Sequence, residues 1–301
     1  MKNETFYSNA KLLITGEYVV LDGSWALATP LRVGQKMEVF EHAPTLLWKN
    51  FDRNGKLWFE AEFELSPDFK ELFSSEKKIS ETLRLILKQT RKLNPAFLQN
   101  QGAEVHNHLS FEKEWGLGSS STLINNLAQW AKIDPFDLQQ NTFGGSGYDI
   151  ACAAYDVPIL FLKKNDKVEI IPIKINWPFK DELFFVYLNQ KQNSRESISY
   201  YKQLPQADEK TLRQFSDLST KFVLCATLDD FEKLIQKHEA LMSKLLNLPP
   251  VKEKLFPDYP GSIKSLGAWG GDFVLVTRKD VQQYFPQKGF SIVFSFKDLV
   301  K

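Results

Sequence analysis

The sequence predicts an α+β protein with two domains, residues 1–175 and residues 176–301. Its 301 residues are enough for two ordinary domains, each with a core of its own. Hydrophobic residues make up 43% of the chain and charged residues 25%, which is typical of globular proteins. Strand patterns and helix patterns occur in both halves, and a new strand pattern opens the second half at 182–188.

The first elements are read from residue spacing and turn residues. Residues 5–15 predict a strand that ends in a turn. Segments 45–50 and 56–65 are rich in aromatic and aliphatic residues, and Asn54-Gly55 predicts a hairpin turn between them. Apolar residues recur at helical spacing over 78–93, which predicts a helix.

The later elements follow in the same way. Alternating burial is expected over 103–111, which indicates a half-buried strand, and a helix is expected after residue 121. Two further strands, at 158–163 and 168–173, close the first half. The second half is predicted to hold a strand at 182–188, helices near 194–203, 208–223 and 229–247, and strands at 273–277 and 290–296.

Charge and composition exclude several classes of protein. The 38 basic and 37 acidic side chains leave a formal charge of +1, so no basic excess indicates nucleic-acid binding. Cys152 and Cys225 form no CxxC pair, and no apolar stretch approaches the ~20 residues that span a bilayer. Residues 1–7 lack the apolar region of a signal peptide. We therefore expect a cytoplasmic protein with a small-molecule partner, with neither nucleic acid nor membrane as partner; a homodimer is left open.

One glycine- and serine-rich loop, Gly116–Ser121, lies between a predicted strand and a predicted helix. Glycine lets the backbone approach a phosphate, and a helix N-terminus offers unpaired N–H groups with partial positive charge. The loop is not a Walker A motif, because no Gly-Lys-Ser/Thr follows, and Ser121 replaces the third glycine of a dinucleotide fingerprint. Taken alone, it is either a phosphate loop or a tight turn.

Two charged residues accompany this loop at a distance along the chain. Lys11 adjoins an apolar strand pattern, where it is either a functional cation or a lysine on the solvent face of an edge strand. Asp149 follows the polar, small-residue loop 144–147, where it is either a functional carboxylate or a helix cap. A lysine and an aspartate at a phosphate loop would suit phosphoryl transfer to a hydroxyl group.

Four segments together resemble the GHMP kinases, the family of galactokinase and the homoserine, mevalonate and phosphomevalonate kinases. The first motif is similar to KLLITGEYVVLDGSWALATP, and the phosphate loop to GLGSSSTL. The segment with the catalytic aspartate is similar to GSGYDIACA, and the third motif to LGAWGGDFVLV. These segments occur in family order over residues 11–276, and they most resemble the mevalonate and phosphomevalonate kinase branch and a bacterial subgroup with a Gly-Tyr-Asp-Ile-Ala string.

The resemblance implies a fold and a set of site residues. The N-terminal domain would be ribosomal-protein-like with a left-handed βαβ unit, and the C-terminal domain would be ferredoxin-like. Lys11 and Asp149 would form the catalytic pair, and Ser120 would bind Mg²⁺. The ATP phosphates would contact Gly116, Leu117, Gly118, Ser119, Ser120 and Ser121. The substrate would contact Glu17, Ser146, Gly147, Tyr148, Lys191, Arg195, Gly267, Ala268, Trp269 and Gly270.

Two departures from the family pattern stand out. Trp269 interrupts the glycine run of the third motif, where its bulk is expected to fill part of the acceptor pocket. No glutamate occurs in residues 115–149, where many relatives have the second magnesium ligand. Asp134, Asp137 and Gln140 remain as alternatives for that ligand.

The histidines receive a plainer interpretation. His106 and His108 share one face of a predicted strand, a spacing that can hold a metal ion, but a polar strand face is favoured because no partner ligand is identified. His238 lies on an apolar helix stripe and is predicted to be a core histidine with satisfied hydrogen bonds.

The resemblance implies an ATP-dependent kinase with Mg²⁺ that phosphorylates a small acidic metabolite, with phosphomevalonate or mevalonate of isoprenoid biosynthesis favoured. A kinase acting on a sugar or homoserine is one alternative. The other is a non-catalytic ligand-binding or regulatory protein of the same fold, which the two departures favour and the presence of Lys11 and Asp149 disfavours.

Overall fold

The computed structural model describes residues 3–41, 44–165, 167–190 and 194–301. The chain divides into two compact units, and each is built from separated segments. Unit 1 consists of Met1–Ala10, Val33–Lys113 and Leu117–Ala154. Unit 2 consists of Lys11–Arg32, Glu114–Gly116 and Tyr155–Lys301. This division differs from the predicted one at residue 175.

Two long strands explain that difference. Strand β1 (Asn3–Thr15) and strand β2 (Ala26–Glu41) pair with each other, and each has residues in both units. A single boundary along the chain cannot reproduce this division, because Lys11–Arg32, which contains the first motif, belongs to the same unit as Tyr155–Lys301.

The remaining strands and the α-helices follow along the rest of the described chain. The other strands are β3 (Leu46–Phe51), β4 (Leu57–Phe63), β5 (Glu71–Ser74), β6 (Ala103–Leu109), β7 (Ile159–Lys164), β8 (Lys167–Pro172), β9 (Leu183–Tyr187), β10 (Ile263–Ser265), β11 (Phe273–Thr277) and β12 (Val293–Ser295). The helices are α1 (Lys77–Leu93), α2 (Ser119–Ala131), α3 (Pro135–Gln140), α4 (Tyr148–Ala154), α5 (Ser194–Tyr201), α6 (Glu209–Val223), α7 (Leu228–Leu246), α8 (Val251–Leu255), α9 (Val281–Gln287) and α10 (Phe296–Leu299).

Unit 1 contains strands in the order β5-β4-β3-β6-β2. The predicted hairpin is confirmed: β3 and β4 pair antiparallel, and the Gly55 N–H donates to the Asp52 carbonyl in the turn. Strand β6 pairs parallel with β3 and antiparallel with β2. Burial alternates along β6 as predicted, with Asn107 on its buried face.

Helices cover the buried face of this sheet and place two loops of the candidate site. The predicted helix over 78–93 is confirmed as α1, which buries Leu83, Ile86 and Leu87. Helix α2 packs against α1, α3 and α4. Its buried residues Ile124, Leu127 and Ala128 belong to the hydrophobic core of unit 1, so the start of α2 is anchored by that core.

Unit 2 contains an antiparallel sheet in the order β10-β11-β9-β12, together with β7 and β8, which pair antiparallel. Helix α7 packs against β10 and α6. Thr227 caps its N-terminus by accepting from the Asp230 N–H, and Asn247 ends it in the left-handed conformation with φ 52°. The buried stripe of α7 runs through Phe231, Ile235, His238, Met242 and Leu246.

The α+β class predicted from the sequence is confirmed, with a large sheet and a separate smaller one. Both cysteines are thiols; Cys152 is buried in α4 and Cys225 is half-buried between α6 and α7. In the described part of the chain, none of the helices has the length and apolar character needed to cross a bilayer.

Candidate active site

The predicted phosphate loop leads directly into helix α2. Gly118 is the N-cap residue and adopts φ 96°, a left-handed conformation that favours glycine. The Ser121 hydroxyl donates to the Gly118 carbonyl at 2.9 Å, so it is used inside the loop. Ser120 is exposed, whereas Ser121 and Leu117 are buried. The first N–H groups of α2 therefore lie beside one exposed hydroxyl, an arrangement that suits an anion.

The second element of unit 1 is the carboxylate of Asp149, in the first turn of α4. Its Oδ1 accepts from the side-chain amide of Gln139 at 3.0 Å and from the Ile150 N–H at 3.1 Å. Within the described ranges, Oδ2 of Asp149 has no hydrogen-bond donor. One oxygen is thus fixed and the other is left to accept a proton or a hydrogen bond.

Loop 144–147 sets the direction of α4. Gly147 adopts φ 96°, and a Cβ at this position would lie 2.9 Å from Cδ1 of Phe136. Ser146 is buried, and its Oγ lies 3.5 Å from the Tyr148 nitrogen; Tyr148 is half-buried at the start of α4. Because α4 packs against α2, the helix that bears Asp149 is adjacent to the helix that follows the phosphate loop.

In unit 2, Lys11 is half-buried on β1 and donates its ammonium hydrogen bond to the Gly116 carbonyl at 2.8 Å. The predicted catalytic lysine thus contacts the first residue of the predicted phosphate loop. Gly116 adopts φ 67°, and a Cβ on it would overlap the carboxylate of Asp272. Asp272, to which the sequence pattern assigned no role, therefore lies directly against this loop.

The third motif forms a loop in unit 2, and several of its residues adopt left-handed conformations. The φ angles are 63° at Gly267, 40° at Trp269 and 100° at Gly270. The Ala268 carbonyl accepts from the Tyr18 hydroxyl at 2.8 Å, and Tyr18 stacks on Tyr201. Burial raises the pKa of Tyr18 to about 12, so its hydroxyl stays protonated and keeps donating.

The side chain of Trp269 differs in position from the sequence-based expectation. Its indole is buried among Val19, Tyr201, Phe215, Met242 and Leu246, in a hydrophobic cluster of unit 2. From the sequence, this side chain was expected to fill part of the acceptor pocket. In the structure it is a core residue, because the cluster beneath the loop supplies the apolar surroundings that an indole prefers.

Glu17 also differs in position from that expected of a substrate contact. Its carboxylate is fully buried, 2.5 Å from the Lys264 ammonium and 3.2 Å from Nε2 of His238. Burial alone would raise the pKa of Glu17, but the charges of Lys264 and His238 outweigh burial and lower it. His238 is buried as predicted, but its ring nitrogens have no aligned hydrogen-bond partner among the described residues.

The remaining predicted residues fall into three groups. Lys191 lies outside the described residues, and of Arg195 only its place in α5 is described. His106 and His108 contact Glu104 and Glu38 respectively on the exposed face of β6, which fits a polar strand face. Asp134 caps α3 by accepting from the Phe136 N–H at 2.7 Å.

Among the residues that the structure describes, no three His, Cys, Asp or Glu side chains are grouped so that they could hold a metal ion. Ser120, the serine predicted to bind Mg²⁺, is exposed at the start of α2. A single protein hydroxyl fits a magnesium ion that is held mainly by nucleotide phosphates, which is common for Mg²⁺.

Comparison with solved structures identifies the fold. Streptococcus pneumoniae phosphomevalonate kinase in complex with phosphomevalonate and AMPPNP matches with a TM-score of 0.69 and 17% identity, over 98% of this chain and 99% of that one. The L. major mevalonate kinase in complex with R-mevalonate matches with a TM-score of 0.68 and 13% identity, over 97% and 94%. Lactococcus lactis galactokinase complexed with galactose matches with a TM-score of 0.64 and 13% identity, over 95% and 88%.

No protein-family model matches the chain, and no curated protein matches it. The matches cover almost the whole chain, and the three structures named here are a phosphomevalonate kinase, a mevalonate kinase and a galactokinase. The chain therefore has the two-domain α+β fold of the GHMP kinases.

Proposed function

We propose that this protein is an ATP-dependent small-molecule kinase. One observation carries the proposal: within unit 1, a glycine-capped helix start and an oriented carboxylate occur on the adjacent helices α2 and α4. A helix start suits the phosphates of a nucleotide, and a fixed carboxylate suits a hydroxyl acceptor. The fold supports the same class of reaction.

ATP binding is assigned to Gly116–Ser121. The phosphates would accept hydrogen bonds from the first N–H groups of α2, where the helix dipole adds partial positive charge. Gly118 leaves room for this approach because it has no side chain. Ser120 would hold Mg²⁺ together with the phosphate oxygens, and the ion when bound would neutralise phosphate charge.

The two charged residues take separate roles. Asp149 would accept the proton of the attacking hydroxyl at Oδ2, while Gln139 keeps Oδ1 in place. Lys11, which donates to the Gly116 carbonyl, would supply positive charge at the phosphate loop. Most of the rate enhancement would come from such positioning and electrostatics, as in other phosphoryl transfers.

The acceptor is assigned to the class of small acidic metabolites, with phosphomevalonate or mevalonate first. Two of the matched structures contain phosphomevalonate or R-mevalonate. Lys191 and Arg195 remain proposed cations for the carboxylate or phosphate of such an acceptor. The proposal includes a cytoplasmic location and a role in isoprenoid biosynthesis.

A coupled assay of ADP release tests the proposal. The purified protein with Mg²⁺ and ATP is given phosphomevalonate, mevalonate, galactose and homoserine in turn, with Asp149→Asn as the matched inactive control. We expect stimulation by an acidic acceptor in the wild type and none in the variant. Stimulation by galactose or homoserine instead would retain the kinase and reject the acceptor. ATP binding without turnover of a wide acceptor panel would favour the non-catalytic alternative.

A further inference from the structure

Four ionisable side chains meet in the interior of unit 2. Glu17 follows β1, His238 and Glu239 lie on α7, and Lys264 lies on β10. Glu17, His238 and Lys264 have no exposed surface, and Glu239 is 5% exposed. We call these four residues the buried charge cluster. Besides its contact with Glu17, Lys264 Nζ lies 3.8 Å from Glu239 Oε1.

Stability alone does not account for this cluster. Removing two charges from water costs several kcal/mol per ion, and well-packed apolar residues of similar volume are often as stable. Among its polar atoms, Glu17 Oε2, Glu239 Oε2 and His238 Nδ1 have no hydrogen-bond partner in the described part of the chain. Because these polar atoms lack hydrogen-bond partners, we explain the presence of the buried charge cluster by the part of the structure that its other contacts hold in place.

What the cluster holds is the loop of the third motif, residues 266–272. The indole N–H of Trp269 donates to Glu239 Oε1 at 3.2 Å. Lys264 Nζ donates to the Ser265 carbonyl at 2.9 Å, at the residue before the loop. Tyr18, next to Glu17 in the chain, donates to the Ala268 carbonyl. The loop is thus fixed at its start, at Ala268 and at Trp269.

Trp269 needs such support because its backbone is strained. A bulky residue with φ 40° is uncommon, and a strained conformation of this kind costs about 1–3 kcal/mol, which the surroundings must supply. The far end of the same loop is Asp272, whose carboxylate lies against Gly116. Gly116 in turn accepts from Lys11. A shift of Trp269 would therefore displace the surroundings of the proposed phosphate loop within unit 2.

We infer that Glu239 and Lys264 are positioning residues: through Trp269 and the Ser265 carbonyl they fix loop 266–272 in the conformation that phosphoryl transfer requires. The role in transfer rests on the proposed function, whereas the fixing of the loop does not. Neither residue touches the reacting groups in this assignment. Both act through the loop backbone.

Hydrogen exchange on the resting protein tests the fixing of the loop without any substrate. Two amides bracket the loop: Leu266 N–H donates to the Phe273 carbonyl, and Asp272 N–H donates to the Gln190 carbonyl. Glu239→Leu removes the acceptor of the indole, and Trp269→Phe removes the donor while keeping a ring. We expect exchange at these amides to accelerate by about tenfold or more in both variants, because local opening becomes easier.

Glu232→Leu is the matched control. Glu232 lies on the same helix and contacts Thr277 and Arg278, but not the loop. This control should leave exchange at Leu266 and Asp272 unchanged. Glu239→Gln keeps a carbonyl oxygen for the indole and should restore most of the protection. Unchanged exchange in folded Glu239→Leu and Trp269→Phe would overturn the inference.

The activity arm is measured on the same variants. We expect kcat to fall in Glu239→Leu and Trp269→Phe, with no further fall in the double variant, while Glu239→Gln retains most of it. If the wild type phosphorylates none of the acceptors, the proposed function fails, but the exchange result still decides whether the cluster fixes the loop. A double variant in which the two losses multiply would show that Glu239 does not act through Trp269.

Discussion

Gln139 holds one oxygen of Asp149, and this contact gives a prediction at the scale of the single residue. Gln139→Ala frees the carboxylate to rotate, so we expect kcat to fall by about 10- to 100-fold, while the affinity for ATP is kept. Asp149→Asn should lower kcat further, by about 10²- to 10⁴-fold. Steady-state kinetics and calorimetry of ATP binding check both expectations.

Asn141→Ala is the control for this pair. Asn141 is exposed at the end of the same helix, where its side-chain amide donates to the Asp137 carbonyl, and the described residues show no contact between it and Asp149. Its variant should match the wild type in kcat. Equal kinetics for Gln139→Ala and Asn141→Ala would remove Gln139 from the site.

Lys11 gives the second prediction for a single residue. Lys11→Ala removes a positive charge from the Gly116 carbonyl, and we expect kcat to fall by about 10²- to 10³-fold, as for other groups that stabilise transition-state charge. Lys36→Ala, at an exposed ion pair with Glu38 on β2, should have no effect. A Lys11→Ala enzyme with wild-type kcat in ADP-release kinetics would contradict the role of this lysine.

These residues also show what the sequence can and cannot predict about the site. Lys11 and Asp149 stand out because they lie inside motifs whose spacing along the chain is readable. Gln139 and Asp272 were not singled out, because each lies at the candidate site through a contact made only after folding, with Asp149 and with Gly116. Trp269 was recognised as unusual, but its side-chain direction depends on the cluster beneath it.

At the scale of the element, the start of α2 can be tested with two glycines in similar conformations. Gly118 has φ 96° and Gly55 has φ 77°, and a Cβ at Gly55 would meet nothing within 4 Å. Alanine at either position should cost about 1–2 kcal/mol of unfolding free energy, because a left-handed conformation disfavours a side chain. Denaturant unfolding measures this cost for each variant.

Only Gly118→Ala should also weaken ATP binding, because only that side chain would stand at the proposed phosphate site. Calorimetry with ATP and Mg²⁺ separates the two effects. If Gly118→Ala and Gly55→Ala bind ATP as tightly as the wild type, then the nucleotide phosphates lie elsewhere.

The helices and strands differ in how closely they could be predicted from the sequence. Helices α1 and α7 and the β3–β4 hairpin were predicted closely, because helical spacing and an Asn-Gly turn are local signals. Strand β2 was not predicted. Its residues 26–31 are all buried and show no alternation, and Pro30 and Gly34, two residues that are uncommon inside strands, lie within it.

At the scale of the whole molecule, Glu17 predicts a specific sensitivity to acid. Its pKa in the folded protein lies below the ordinary value of 4.5, so the charged form favours folding. That contribution is present above pH 4.5 and is lost as the pH falls through the lower folded-state pKa. The double variant Glu17→Gln/Lys264→Met should therefore lose less unfolding free energy than the wild type over this range.

Denaturant unfolding at a series of pH values below neutrality measures the difference. The control is Glu209→Gln/Arg213→Met, which removes a pair whose side chains are 83% and 78% exposed, and it should follow the wild type. A pH profile of Glu17→Gln/Lys264→Met that runs parallel to the wild type would show that the buried pair does not titrate in this way.

The assignment of chain segments to the two units could not be read from the sequence. The number of elements and their order indicated an α+β protein of two parts. Lys11–Arg32 belong to unit 2, although the segments on either side of them, Met1–Ala10 and Val33–Lys113, belong to unit 1, and no local pattern encodes this membership. The predicted boundary at 175 differs from the observed division for this reason.

The reactivity of the two thiols described above can be used to follow local opening of the protein. Cys225 is half-buried, and burial raises the pKa of its thiol, so an alkylating reagent should modify it slowly but without any unfolding. Cys152 is enclosed in the helix that bears Asp149, and it can react only when that helix opens. The labelling rate of Cys152, followed by mass spectrometry, would therefore measure the opening free energy of α4 in the unmodified protein, and a nucleotide that stabilises unit 1 should slow it.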